Sequence, residues 1–423
     1  MCSCHEADNK NDTTKEKKMR ITSVDVMRVP SGNSGKERGD WSPVVCRINT
    51  DEGISGFGEA GLAYGKGWRG GLGMIQDMAE QIIGMNPMYN EQIWETMFRK
   101  TFWGCGGGAV VYAAISAIDI ALWDIKGKVL GVPVYQLLGG KTNEKLRVYA
   151  SQLQFNWGEQ LDKTVLITPE EYYEVTKKAI AAGYTAVKVD PLWFSDQPDG
   201  KGRWKRTGPL ERNVLRTGYE RVRAIREAGG EDLDIIVELH SLTDTVSAVE
   251  LGRALEQLKI FYYEEPTHPL NTENLLEVHR QLSIPIATGE RVYTRWGYRQ
   301  ILQNHAVQVI QPDICLCGGI TEAKKICDMA HIYDCAVQIH VCGSPISKAA
   351  ALQIEAVLPN FIIHEHHQRA LNPISRATCL YDYQPENGYY DVPDKPGIGQ
   401  ELTPETIEKC EIVTISERKP YFA

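Results

Sequence analysis

The sequence predicts an α/β fold in which a closed barrel of parallel strands carries a smaller α+β domain. Eight short apolar runs alternate with seven helical stretches between residues 146 and 365. Such an alternation is typical of a parallel sheet, and eight strands are enough to close it into a TIM-like barrel. The chain has 423 residues, which is too long for one typical core, and its first part shows a different, antiparallel pattern. We therefore expect one large domain and one small one.

The candidate barrel strands are short apolar runs, most of which end in a polar or charged residue. They are Leu146–Ala150, Ala186–Val189, Asp234–Leu239, Ile260–Glu264, Ile284–Thr288, Val307–Gln311, Ala336–His340 and Phe361–Glu365. The helices between them are expected to begin near Thr168, Glu211, Asp244, Thr272, Tyr293, Ile320 and Pro345. One connection contains a long polar stretch, Pro191–Pro209, and long loops of this kind are usually lids or binding loops.

The N-terminal segment predicts a small antiparallel sheet followed by helices. The strands are Arg20–Val29, Pro43–Asn49 and Ile54–Glu59, and the last two flank a turn that ends at Gly53. The strongest helix is Tyr112–Leu130, which is apolar nearly all round and therefore buried. The Gly- and Ser-rich segment 31–40 is either a surface connector or a mobile lid. We divide the chain into a disordered tail (1–18), a cap (19–140), a barrel (141–380) and a C-terminal segment (381–423) that returns to the cap.

Composition narrows the class of protein. The net charge is −9, and the globular part has no Lys/Arg run, which argues against nucleic-acid binding. No apolar stretch approaches the roughly 18 residues of a membrane span, so we expect no membrane association. The first 18 residues are polar and are expected to form a tail rather than a signal peptide. Eleven cysteines without framework spacing indicate reduced thiols and a cytoplasmic location.

Three glutamates recur at an interval of 26 residues. Glu238, Glu264 and Glu290 each follow a strand-like run, so they should meet at the carboxyl-terminal rim of the barrel. Converging carboxylates repel one another unless a cation lies between them, and oxygen ligands suit Mg²⁺. Any one of them could instead be solvated or cap the next helix, but that explanation does not account for three in register. We predict a magnesium site formed by these residues.

Further chemical groups follow the other strands. Asp313, His340 and Glu365 close the last three strands, so Asp313 should orient His340 as a base. His240 lies two residues after Glu238, and side chains two apart in a strand point the same way, so His240 faces the barrel mouth as a second acid/base candidate. Lys188 ends the second strand, where it could pair with a ligand carboxylate or hold a substrate anion.

The chain resembles the enolase superfamily in its mandelate racemase-like branch. The resemblance rests on the helix sequence Ser116–Lys128 and the following Gly131–Gly140, and on Glu264-Glu265-Pro266, Gly289-Glu290-Arg291, Gln311-Pro312-Asp313 and Gly318-Gly319-Ile320-Thr321-Glu322. It implies an α+β capping domain over a (β/α)7β barrel. Within the branch, the carboxylate-x-His pattern of Glu238-Leu239-His240 is similar to that of the galactonate/gluconate-type sugar acid dehydratases.

The resemblance implies the roles of the site residues. Mg²⁺ would lie on Glu238, Glu264 and Glu290, and His340 with Asp313 would abstract the proton α to a carboxylate. His240 would protonate the departing β-hydroxyl, and a protonated Glu365 would stabilise the enediolate. We assign substrate binding to Lys188, Asp190 and Arg291. The expected product is a 2-keto-3-deoxy sugar acid.

Two departures from the family pattern keep alternatives open. Glu238 stands where Asp is usual, and Lys188-Val189-Asp190 lacks the second lysine that serves racemases. An epimerase, racemase or cycloisomerase could use His240 as its second base, and a binding or regulatory protein without activity is a further alternative. Specificity should depend on Ser31–Trp41, Ala60–Trp68 and Pro191–Pro209. We expect a small-molecule sugar acid as the substrate and a homo-oligomer as the assembly.

Overall fold

The computed structural model describes residues 19–30, 41–158, 164–192 and 208–419. The predicted tail at residues 1–18 lies outside the described residues. So do residues 31–40 and 193–207, which include most of the two predicted loops.

The cap is built around an antiparallel sheet to which both ends of the chain contribute. Its strands are β1 (Ile21–Arg28), β2 (Val44–Thr50), β3 (Ser55–Ala60) and β13 (Glu411–Ile415), in the order β13-β1-β2-β3. Asp25 on β1 joins three of them, because it accepts hydrogen bonds from Arg47 and Asn49 on β2 and from Thr414 on β13. The C-terminal segment therefore returns to the N-terminal sheet, as the predicted fold requires.

Four helices complete the cap: α1 (Trp68–Ile82), α2 (Asn90–Lys100), α3 (Gly108–Leu130) and α4 (Val134–Leu137). Helix α3 begins four residues before its predicted start and ends at Gly131, whose left-handed φ of 69° suits glycine. By length and composition α3 could span a membrane, which the sequence analysis did not foresee. However, 78% of its most apolar window is buried inside the protein, so it serves as a core helix.

The barrel contains the predicted strands in the predicted order. They are β4 (Lys145–Ser151), β5 (Ala186–Val189), β6 (Asp234–Glu238), β7 (Tyr262–Glu264), β8 (Ile286–Thr288), β9 (Val309–Ile310), β10 (Ala336–Val337) and β11 (His364–His367). Each is parallel to its neighbours, in the order β10-β9-β8-β7-β6-β5-β4-β11. Val337 pairs in parallel with Phe361, just before β11, and so joins the two ends of the sheet.

Seven helices connect these strands: α5 (Pro169–Ala181), α6 (Arg212–Gly229), α7 (Thr245–Leu255), α8 (Thr272–Gln281), α9 (Thr294–Gln303), α10 (Gly319–His331) and α11 (Pro345–Glu355). Each begins within one residue of the predicted position. Capping explains several of these starts, since Thr168 and Glu171 form a complete capping box at α5 and Asp244 caps α7. After β11 come α12 (Pro373–Arg376), β12 (Tyr389–Asp391), which is antiparallel to β4, and α13 (Pro404–Glu408).

Buried polar contacts fix the cap over the barrel mouth. Glu59 on β3 accepts hydrogen bonds from the backbone and hydroxyl of Ser344 at the start of α11. Asp119 on α3 accepts from the backbone and hydroxyl of Thr321 on α10. Because these carboxylates are fully buried, their bonds hold the cap in one orientation relative to the strand ends.

Candidate functional site

The carboxyl ends of the barrel strands open into a cavity of about 410 Å³ beneath the cap. Seven of the ten predicted site residues line it: Lys188, Asp190, Glu238, His240, Glu290, His340 and Glu365. Of the other three, Glu264 is fully buried beside Glu238, Asp313 lies behind His340, and Arg291 points elsewhere. The strand-end pattern in the sequence therefore does converge on one concave site.

Lys188 lies among three glutamates at the base of this cavity. Its Nζ is 2.9 Å from Glu264 Oε1, 3.1 Å from Glu365 Oε1 and 3.6 Å from Glu238 Oε2. The lysine side chain is 5% exposed, so these pairs are shielded from water. Of the two roles weighed for Lys188, the structure shows the ion pair with the predicted metal ligands.

The predicted metal ligands are close together, and some of their oxygens lack hydrogen-bond partners among the described residues. Glu238 and Glu264 are register partners on β6 and β7, and one buried oxygen of each lacks a hydrogen-bond partner among the described residues. Burial raises the pKa of Glu238 well above its ordinary value, and the charges of Glu264 and Glu290 raise it further. A cation would remove this penalty, so the residues fit a hard divalent ion.

The most compact set of donors at this point differs from the predicted one. Single ligand atoms of Glu238, His240 and Glu290 lie within 4.8 Å of one another. Glu264, the third predicted ligand, directs Oε1 to Lys188 instead. His240 therefore offers the third donor atom where Glu264 was expected as the third ligand.

His340 and Asp313 form the expected pair. His340 Nδ1 is 2.8 Å from Asp313 Oδ2, and its Nε2 is 3.2 Å from Glu290 Oε2 at the cavity wall. Burial alone would lower the pKa of His340, but Cys342, Glu290 and Asp313 raise it well above its ordinary value. The imidazole is therefore oriented by one carboxylate and faces a second at the predicted metal site.

His240 forms a second histidine–aspartate pair, which the sequence analysis did not predict. Its Nδ1 is 2.9 Å from Asp190 Oδ2, and Asp190 is 1% exposed. Burial alone would lower the pKa of His240, but the hydrogen bond and charge of Asp190 raise it. Asp190 lines the cavity, as expected of a substrate-binding residue, yet its contact with His240 makes it an orienting group.

The route by which His240 reaches the cavity differs from the prediction. Strand β6 ends at Glu238, so the alternation rule for strands does not apply at His240. His240 and Ser241 instead adopt left-handed φ values of 45° and 56°. The backbone N–H of His240 donates to Glu238 Oε1 at 2.7 Å, which fixes this turn. Such a conformation is costly for residues other than glycine, and backbone strain of this kind clusters at functional sites.

The surroundings of Glu365 favour its anion, whereas the resemblance implied a protonated donor. Its oxygens accept hydrogen bonds from the Ser151 hydroxyl at 2.7 Å and the Val341 backbone at 3.0 Å. Burial alone would raise the pKa of Glu365, but Lys188 and His340 lower it well below its ordinary value. These contacts suit a hydrogen-bond acceptor better than the donor first expected.

Arg291 is not among the residues that line the cavity. Its guanidinium pairs with both oxygens of the buried Glu265 and donates to the Ser241 hydroxyl at 3.0 Å. Its Nε also lies 3.5 Å from Glu290 Oε1. Arg291 therefore links two glutamates at the rim, and its contact with a substrate stays a prediction.

Seven further residues line the cavity that were not predicted as site residues. They are Tyr64, Gly65, Gln152, Gln154, Phe155, Cys342 and His367. Tyr64 comes from the cap segment Ala60–Trp68, to which we had assigned specificity. Gln152 has a left-handed φ of 66° and follows β4, the one strand end at which we had looked for no chemistry. The strand-end rule applied to β4 would have indicated Gln152, and Cys342 lies only two residues beyond His340.

Comparisons with known proteins agree with this architecture. Residues 16–139 match the family model of the mandelate racemase/muconate lactonizing enzyme N-terminal domain, and residues 171–406 match that of the enolase C-terminal domain-like family. The chain therefore belongs to the enolase superfamily, in the branch of mandelate racemase and muconate lactonizing enzyme. The predicted family and fold class are confirmed.

Two curated dehydratases and one solved structure are similar to this chain over most of its length. The chain is 32% identical over 374 residues to a D-galactonate dehydratase of Variovorax paradoxus, covering 86% of this chain and 90% of that one. It is 33% identical to a D-xylonate dehydratase of Haloferax volcanii, covering 88% and 85%. It is also similar to the structure of a member of the enolase superfamily from Salmonella Typhimurium, with 56% identity, a TM-score of 0.90, and coverage of 94% of this chain and all of that one. The predicted hydro-lyase class agrees with the names of these dehydratases.

Proposed function

We propose that this protein is a Mg²⁺-dependent sugar acid dehydratase that converts its substrate into a 2-keto-3-deoxy sugar acid. One observation carries the proposal: two histidine–aspartate pairs face one cavity beside a cluster of glutamates. Strands β6 and β10, which precede His240 and His340, are four places apart in an eight-strand barrel and so lie on opposite sides of its mouth. A substrate in the cavity would lie between two acid/base groups.

The metal would be held by Glu238, Glu264 and Glu290. Three observations support this assignment. Glu238 and Glu264 each have one buried oxygen without a hydrogen-bond partner among the described residues, and the pKa of Glu238 is raised. The three glutamates also offer only oxygen donors. When bound, Mg²⁺ supplies positive charge that stabilises the carboxylate of the substrate as negative charge develops on it. His240 lies close enough to Glu238 and Glu290 to compete for the same ion, and a carboxylate-rich site favours a hard one.

His340 is the proposed base. Asp313 holds Nδ1, so Nε2 is the atom directed into the cavity, where it takes the proton α to the substrate carboxylate. Cys342, Glu290 and Asp313 all raise the pKa of His340 and so favour the protonated imidazole. Neutralisation of Glu290 by a cation would lower the pKa of His340 towards the range in which it can act as a base.

His240 is the proposed acid. Asp190 holds its Nδ1 and favours the protonated ring, which suits a group that must donate a proton to the departing β-hydroxyl. The α-proton goes to His340 and the hydroxyl leaves as water with the proton from His240. The resulting enol becomes the keto acid when C3 takes a proton from solvent and the C2 hydroxyl releases its proton.

Glu365 takes a different role from the one first expected. As an anion it fixes Lys188 at 3.1 Å and can accept a hydrogen bond from a substrate hydroxyl. The single charge of Lys188 offsets only part of the charge of the three carboxylates, so an anionic substrate would also need the proposed cation.

An epimerase is the second candidate, and the same pair of opposed imidazoles favours it. If His240 returned a proton to the enediolate at C2, the product would be an epimer and the β-hydroxyl would stay. A binding protein without activity is disfavoured because the complete set of predicted acid, base and ligand residues is present at one cavity.

A substrate screen tests the proposal. Aldonic and aldaric acids would be incubated with the protein and Mg²⁺ and assayed for 2-keto acids, with His340→Asn as the inactive variant. His331→Asn, at the exposed end of α10, is the matched control. Keto acid formed by wild type and by the control but not by His340→Asn supports the proposal. Epimers without keto acid would favour the second candidate.

A further inference from the structure

A cysteine at the cavity wall extends the chemistry of the site. Cys342 follows His340 by two residues and lines the cavity, and its side chain is partly exposed. Single ligand atoms of Asp313, His340 and Cys342 lie within 4.8 Å of one another. The Cys342 carbonyl is held at 3.2 Å by the Trp41 indole N–H of the cap, which fixes the backbone that carries the thiol.

The three donors differ in kind from those of the glutamate cluster. Together they offer sulfur, nitrogen and oxygen, whereas the three glutamates offer oxygen alone. Thiolate and imidazole ligands prefer Zn²⁺ and similar thiophilic ions, and Mg²⁺ prefers oxygen. Two metals of different softness would thus be sorted to two adjacent positions in one cavity.

The geometry allows such an ion with little movement. In a tetrahedral zinc site the donor atoms are about 3.3–3.7 Å apart. The longest separation here would therefore shorten by at most about 1.5 Å, which rotation of the Cys342 side chain can provide. His340 and Cys342 line the cavity, so water can reach the ion from that side and supply a fourth ligand.

We propose that Asp313, His340 and Cys342 form an inhibitory site for a thiophilic divalent cation such as Zn²⁺ or Cd²⁺. The ion would displace the thiol proton and take the imidazole of His340 as a ligand. His340 could then no longer accept a proton, and removal of the ion by a chelator would release it. The inhibitory effect rests on the proposed function, whereas binding of the ion does not.

The other cysteines provide matched controls. Cys315 and Cys317 follow the neighbouring strand end but are fully buried, and Cys105 is exposed on the cap. Cys2 and Cys4 lie outside the described residues, and both are replaced by Ser in the full-length chain used as background. Cys342→Ser and Cys105→Ser are then made in that background.

Binding is measured with Cd²⁺ in excess Mg²⁺, through the ultraviolet charge-transfer absorption of a cadmium thiolate. The absorption should saturate near one Cd²⁺ per chain, disappear in Cys342→Ser and persist in Cys105→Ser. Asp313→Asn should weaken Cd²⁺ binding by at least about 10-fold, since loss of a single supporting group commonly costs 10–100-fold. Thermal melting confirms that each variant is folded.

Two results would overturn the proposal. One is an absorption that survives in Cys342→Ser. The other is binding at Cys342 that Asp313→Asn and His340→Asn leave unchanged, because the thiol would then act without the other two ligands. If a substrate is found, Zn²⁺ should inhibit its turnover in excess Mg²⁺, and Cys342→Ser should need at least about 10-fold more Zn²⁺. Absence of dehydratase activity would refute the proposed function. The Cd²⁺ measurement would still test whether Asp313, His340 and Cys342 bind a thiophilic cation.

Discussion

Replacement of Asp190 by Asn tests whether this residue orients His240. The hydrogen bond between Asp190 Oδ2 and His240 Nδ1 is 2.9 Å long and joins a buried carboxylate to a ring that is 21% exposed. A hydrogen bond to a charged group contributes about 1.5–3 kcal/mol. If this contribution is lost from the step in which His240 donates its proton, dehydration should slow by about 10–150-fold.

Asp190→Asn should slow the departure of the β-hydroxyl and not the removal of the α-proton. Asp190→Asn should retain exchange of the substrate α-proton with D₂O, because His340 and Asp313 are untouched on the opposite side of the cavity. Asp313→Asn is the matched variant, with an equivalent bond of 2.8 Å, and it should reduce exchange and dehydration together. Both rates can be followed by ¹H NMR in D₂O with Mg²⁺ present.

A substrate with a better β-leaving group separates the role of the acid from that of the base. With fluoride as the β-leaving group, departure needs less help from an acid, so Asp190→Asn and His240→Asn should be partly rescued and His340→Asn should not. Loss of exchange in Asp190→Asn as severe as in Asp313→Asn would refute the orienting role. Equal rescue of the His240 and His340 variants would contradict the assignment of acid and base.

Three further predictions concern the metal, the buried lysine and the cap. Chelation should abolish turnover and Mg²⁺ should restore it; full activity in excess chelator would exclude the metal site. Lys188→Met removes the cation from a buried cluster and should lower the free energy of unfolding by about 3–5 kcal/mol, with Mg²⁺ recovering more stability in the variant than in wild type. Burial alone would raise the pKa of Asp25, but hydrogen bonds from Thr414, Asn49 and Arg47 lower it below 3.8. Its ionised form therefore stabilises the fold above that pH, and the stabilisation is lost as the pH falls through the folded-state pKa. Asp25→Asn should accordingly cost about 1.5–3 kcal/mol at pH 7 and progressively less in acid denaturation series; a pH-independent cost would contradict this reasoning.

Strand ends and helix starts could be predicted because they depend on local sequence. Ala186–Val189 has the predicted bounds, and α5 begins where Thr168 and Glu171 form a capping box. The positions of Glu238, Glu290 and His340 at the cavity follow from the same periodicity. Strands β9 and β10 are shorter than predicted, although single backbone hydrogen bonds still join Gln311, Gln338 and His340 to the neighbouring strand segments.

The pairing of charged side chains could not be predicted in this way. Arg291 adjoins Glu290 in sequence and pairs with it at 3.5 Å, but its closer partner is Glu265, because the turns after β7 and β8 bring them together. The Asp190–His240 hydrogen bond depends on a left-handed turn at His240, and no glycine or other turn-favouring residue at that position predicts it. Such contacts join residues 26 and 50 positions apart in the chain, so they depend on the tertiary fold rather than on local pattern.

The most direct measurement is ¹H NMR of the reaction in D₂O with Mg²⁺ and a sugar acid identified in the substrate screen. Our account predicts a 2-keto-3-deoxy acid that carries deuterium at C3, because the enol takes its proton from solvent. His340→Asn should give neither this product nor loss of the α-proton signal, while His331→Asn should behave as wild type. A wild-type product that keeps its β-hydroxyl and carries deuterium at C2, or α-proton exchange that persists in His340→Asn, would contradict the account.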